Sequence, residues 1–146
     1  MNPDKIKTAT PSRSGPAEKV FTAAEANAAL VLVQKVVQDL VKKYRHLLSL
    51  RDKRHRLANS VGNAEQIETL NAQIEYTTAA LNELHAELIG IGCVLKDWSE
   101  GLVDFPAMHR GRRVWLCWRL GEQRVTHWHD LHGGYVGRQP IGPDFD

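Results

Sequence analysis

Leu57-Ala58-Asn59-Ser60-Val61-Gly62-Asn63-Ala64 separates two long runs of helical spacing, and its reading decides the fold. Asn59, Ser60, Gly62 and Asn63 are turn formers. Before them Leu30, Val33, Val37, Leu40, Tyr44 and Leu47 recur at alternating three- and four-residue steps, the spacing of a packed helical seam. After them Ile67, Leu70, Ile74, Thr77, Leu81, Leu84, Leu88 and Ile91 repeat it, and Gly90 and Gly92 mark its end. Two long helices joined by so few residues must run antiparallel. At 1.5 Å per residue the first is roughly 50 Å long.

The first helix announces its start. Thr22 followed three residues later by Glu25 is a capping box, and Phe21 can staple onto Ala26. Asn27 has no such role. Asparagine inside a helix costs stability, so its amide is expected to cap a backbone group elsewhere in the fold. Residues 41–56 hold Lys42, Lys43, Arg45, Arg51, Lys53, Arg54 and Arg56 against Asp52 alone. The second helix carries Glu65, Glu68, Glu75, Glu83 and Glu87 and no Lys or Arg. An antiparallel pairing sets the basic end of one against Glu65, Glu68 and Glu75 of the other, which disfavours wrong registers.

From Cys93 the period changes. Cys93–Lys96 and Gly101–Pro106 read as short extended pieces, the second ended by its proline. Val114-Trp115-Leu116-Cys117-Trp118-Arg119-Leu120 is the strongest strand signal. Arg124–His129 returns beside it as a β-hairpin, and Gly133–Pro140 reads as irregular. The expected fold class is α+β, a long antiparallel helical hairpin with a small C-terminal β-hairpin unit. Residues 1–20, with Pro3, Pro11 and Pro16, read as a flexible leader. Residues 21–92 form the coiled-coil-like hairpin, and 93–146 a β-rich unit packed on its base.

Composition narrows the function classes. Hydrophobic residues are 42% and charged residues 25%, with mean hydropathy -0.37, ordinary values for a soluble domain. No run approaches the ~20 apolar residues of a membrane span, so no membrane partner and a cytoplasmic location are expected. A net charge of +2 does not call for nucleic acid. Cys93 and Cys117 make no disulfide framework and read as buried thiols.

Chemistry-bearing residues crowd into the last third. His127 and His129, at i and i+2, point to one side of a strand, as a two-histidine metal site requires. Asp104, Asp130 and Cys117 are the further ligand candidates, and zinc or iron would suit such a set. Register decides. A two-residue turn at Gly121-Glu122 sets Leu116 opposite His127 and turns Cys117 to the other face. A three-residue turn sets Cys117 opposite His127 and Trp115 opposite His129. Arg119, Arg138 and Glu122 are candidates for anion binding or for salt bridges, with Glu122, Asp104 or Glu100 as acids for Arg119 and Arg138 able to clamp a carboxylate or a phosphate. Thr22, Glu25, Asn27, Trp118 and Trp128 read as structural.

Several of these stretches occur together in one family. Phe21–Leu30, Gly101–Pro106, Leu116–Glu122, Trp128-His129-Asp130 and Gly134–Ile141 resemble the DUF2203 proteins, a small bacterial family of unknown function. The resemblance covers roughly residues 21–142. It implies no activity, substrate or cofactor, but it implies a location, with signature residues at Glu25, Asn27, Asp104, Phe105, Cys117, Trp118, Arg119, Glu122, Trp128, His129, Gly137 and Arg138. Asp130 stands where the family often has glutamate, and Tyr135 where phenylalanine is common. Two functions follow as expectations. One is a structural or adaptor protein, homodimeric through the hairpin, with the C-terminal unit recognising a protein partner. The other is a binding protein for a metal or a small anionic ligand, or an enzyme, with its site in that unit.

Overall fold

The computed structural model describes residues 19–145. The expected leader falls outside these residues except for Lys19 and Val20. Helix α1 spans Ala23–Ala58 and α2 spans Ala64–Ile91. Both halves of the capping box form: Thr22 Oγ1 accepts from Glu25 N at 3.0 Å, and Glu25 Oε1 accepts from Thr22 N at 2.9 Å. These bonds, the main-chain one first, hold the Glu25 carboxyl below its ordinary pKa. The turn closes on Asn63, whose amide donates to Leu57 O (3.1 Å) and Ser60 Oγ (2.5 Å). Gly92 ends α2 in the left-handed region, at φ 108°, where a side chain would also press on the Phe21 ring.

The seam between the helices buries Leu40, Leu47 and Leu50 with Leu70, Thr77, Leu81 and Leu88. Thr77 satisfies its hydroxyl on Gln73 O one turn back, at 2.8 Å. The expected charge pairing across the hairpin does not form. Among the described residues no Lys or Arg of α1 makes an ion pair with a glutamate of α2. Arg56 pairs within its own helix with Asp52 at 3.1 Å, and Arg54 donates to Asn71 at 2.9 Å. The packed apolar seam therefore sets this register.

The C-terminal unit corrects the expected β-hairpin. It is a five-stranded antiparallel sheet in the order β1 (Val94–Asp97), β2 (Leu102–His109), β3 (Arg112–Arg119), β4 (His127–His129) and β5 (Gln139–Pro140). Pro106 does not end its strand. Its carbonyl accepts from Phe21 N at 2.7 Å, and in a strand a residue's N–H and C=O point to the same side. The missing N–H therefore faces away from β3, on the side where β1 has already ended, and no ladder bond is lost. Strand β4 is three residues long, and the connection before it, Leu120–Thr126, is a wide loop rather than a tight turn.

The sheet has two faces. Val103, Phe105, Ala107, Val114, Leu116 and Trp118 join Phe21, Leu30, Val33 and Val37 of the helical layer in one core. Phe21 meets Phe105 edge to face with centroids 5.2 Å apart. The contact runs along α1 to Gly101, which lies against Val37 and Val41, and to Tyr44, which packs on Trp98. Asn27 pins the wide loop to α1. Its Oδ1 accepts from Val125 N at 2.8 Å, and its Nδ2 donates to Val125 O at 3.2 Å and Ala23 O at 3.0 Å.

Asn27→Ala leaves both Val125 main-chain groups without their partner. It should destabilise the fold by about 2–3 kcal/mol in urea titrations, more than an ordinary exposed helix substitution.

Candidate metal centre

The face turned away from the helices carries the site. In register, Asp104 of β2 lies opposite Cys117 of β3, Cys117 opposite His127 of β4, and Trp115 opposite His129. This is the arrangement expected of a three-residue turn, reached here through a longer loop. Asp104, Cys117 and His129 come from three adjacent strands, and their ligating atoms all lie within 4.8 Å of one another. They are 1%, 0% and 2% exposed.

The His129 ring is held at both nitrogens. Nδ1 lies 2.7 Å from the carbonyl oxygen of Asp130, and Nε2 lies 3.1 Å from Asp104 Oδ2. A carbonyl can only accept, so Nδ1 carries its hydrogen and donates. Nε2 then turns its lone pair towards Oδ2, so the two atoms either share one proton or would both face a cation seated to one side of them. Asp104 Oδ1 is buried with no hydrogen-bond partner, although the Cys117 thiol lies nearby. Burial pushes the Asp104 carboxyl above its ordinary pKa, and His129 opposes this only in part. Burial, with the adjacent Asp104 charge, pushes the Cys117 thiol up to about 12. Without a cation this cysteine is a protonated, unreactive thiol.

A second layer covers the cluster. Arg138 lies against the Cys117 thiol and donates to Glu122 through both arms, at 3.1 Å to Oε1 and 2.5 Å to Oε2. Glu122 Oε1 also accepts from Arg119 N at 2.7 Å. Burial alone would raise the Glu122 carboxyl, but Arg138 and the Arg119 N–H hold it below its ordinary value. The Arg138 guanidinium sits 4.4 Å from the Tyr135 ring centroid. Gly137 makes this return possible, since a Cβ there would stand 2.8 Å from Gly133 O.

The other candidates are dispersed. His127 shares the face but stays outside the cluster, its Nδ1 2.9 Å from Thr126 Oγ1. Asp130 contributes its main-chain carbonyl, while its residue is exposed. Arg119 pairs with Glu100 at 2.5 Å on the surface. Trp118 is buried on the opposite face and donates from Nε1 to Glu122 O at 2.9 Å. Trp128 packs there against His109 and Phe145. Lys96, whose charge favours the Asp104 carboxylate, was not among the candidates. Only the pairing of β1 with β2 brings it onto this face, and no local motif signals that pairing.

Glu122→Ala should cost about 2 kcal/mol at neutral pH by releasing Arg138. The Glu122 pKa is lowered on folding, so this stability is present above its unfolded value and lost as pH falls through the lower folded value. Denaturation of wild type and variant should therefore converge in acid.

No curated protein and no solved structure matches the chain significantly. A family model does, that of the uncharacterized conserved protein DUF2203, over residues 19–141. With the match running from the start of α1 through the site and Arg138 to Ile141, the chain belongs to the DUF2203 family.

Proposed function

We propose that this protein binds a divalent transition metal through Asp104, Cys117 and His129. The observation that carries the reading is the His129 ring. Its Nδ1–H is committed to a carbonyl, as in most metal-bound histidines, and its Nε2 lone pair faces a buried carboxylate. Two further observations support it. Asp104 Oδ1 is a buried acceptor without a partner. A dication bound by one thiolate, one carboxylate and one neutral imidazole carries no net charge, which suits a site sealed from water. Zinc and iron both accept this mixed donor set. Three protein donors would leave room on a bound metal for water or a substrate, beside Asp130 O and Arg138.

The small-anion alternative has less support, because Arg138 and Arg119 are already engaged by Glu122 and Glu100. The adaptor reading of the sheet also has less, since its most buried polar groups point at one another. No described helix is long and apolar enough to cross a membrane.

Metal analysis of untagged protein should find about one equivalent of zinc or iron per chain. Asp104→Ala, Cys117→Ser and His129→Ala should each lose it while staying folded. Since the donors come from three strands, metal binding adds to folding stability, and a chelator should lower the Tm of wild type more than that of any variant. Binding must also release the Cys117 proton, so apparent affinity should rise about tenfold per pH unit for each proton displaced. Metal-free protein that takes up neither ion, or variants that retain it, would sink the proposal.

A further inference from the structure

The sheet covers α1 only as far as Tyr44 and Arg45, which meet Trp98 and Ser99. Beyond them the two helices stand as an arm. One side of that arm is a groove walled by Lys43 and His46 of α1 and by Ala72, Gln73, Tyr76 and Ala80 of α2. Tyr76 is 80% exposed, and from Thr69 to Ala80 the helix carries a single charge, Glu75. A solvated helix face is normally charged, so this stretch is unusually bare. Towards the turn the groove continues between Lys53 and Glu65, on opposite walls.

The charge distribution identifies what fits. The α1 wall carries Lys43, His46 and Lys53 and the α2 wall one acid, Glu65, and among the described residues no ion pair joins the two walls. Nucleic acid or an acidic protein would suit the lysines but leave Glu65 unpaired on the facing wall. A second copy suits both. A two-fold axis running along the arm sets α1 of one chain against α2 of the other at the same level, so that Lys53 meets the partner's Glu65 at two equivalent places. We propose that the distal arm pairs with a second copy of this chain in this way, as an antiparallel four-helix bundle with Tyr76 at its centre. This inference is independent of the metal proposal.

Sedimentation equilibrium of the full chain at micromolar concentration tests it. Wild type should be a dimer that weakens with salt, and Tyr76→Glu should be monomeric with unchanged helix content and unchanged metal content. Lys53→Glu and Glu65→Lys should each weaken the dimer about tenfold or more. Mixed in equal amounts they should restore it, because both contacts then pair opposite charges. A monomer at all concentrations overturns the proposal. So does a dimer that is indifferent to Tyr76→Glu and gains nothing when the two charge variants are mixed. Should Tyr76→Glu fail to fold, the mixing experiment decides alone.

Discussion

Strand β3 has to satisfy two environments at once. Val114, Leu116 and Trp118 face the helices and are wholly buried, and the sheet and α1 form one core through them. Trp115, Cys117 and Arg119 alternate with them on the opposite side. Because side chains alternate along a strand, a slip of one residue would exchange the two sets. Burying a side chain the size of Leu or Trp contributes about 2–3 kcal/mol, so the inner face resists any such slip strongly. The core thus fixes the side to which Cys117 points, and with it the assembly of the candidate metal centre.

The outer face is correspondingly expensive. An aspartate, a cysteine and a histidine are nearly inaccessible, and one carboxylate oxygen has no partner. Buried polar groups usually find partners, and unsatisfied ones are destabilising. The surrounding bonds lessen that penalty without removing it. Asp130 O orients the imidazole, and the Glu122–Arg138 pair closes the 130–138 segment beside the thiol. A bound dication would satisfy the remaining acceptor, draw off the thiol proton and leave the buried site neutral, which unites these features under one cause.

The helical hairpin is legible in the sequence because its signals are local. The Thr22–Glu25 box, the three-four seam and the Asn59–Asn63 turn each occupy a few neighbouring residues. The sheet is less legible. Its outer strands are too short to show alternation, and Pro106 reads as a strand end although its missing N–H faces the unpaired side. Asp104, Cys117 and His129 could be named from their chemistry. Separating them from His127 and Asp130 needed the strand register and the ring orientation, which depend on contacts between distant segments. Lys96 shows the same limit, since its place beside Asp104 follows from β1 pairing rather than from any spacing in the chain. The charge runs of the two helices invited an intrachain pairing that the seam geometry does not make: Arg56 turns to Asp52 of its own helix and Arg54 to Asn71.

X-ray absorption at the edge of the bound metal probes the Asp104–Cys117–His129 centre itself. The expected first shell has one sulfur scatterer at about 2.3 Å and nitrogen or oxygen scatterers at about 2.0–2.2 Å. Cys117→Ser should remove the sulfur contribution. A shell of nitrogen and oxygen alone in the wild-type protein would place the metal somewhere other than beside Cys117 and overturn the proposed centre.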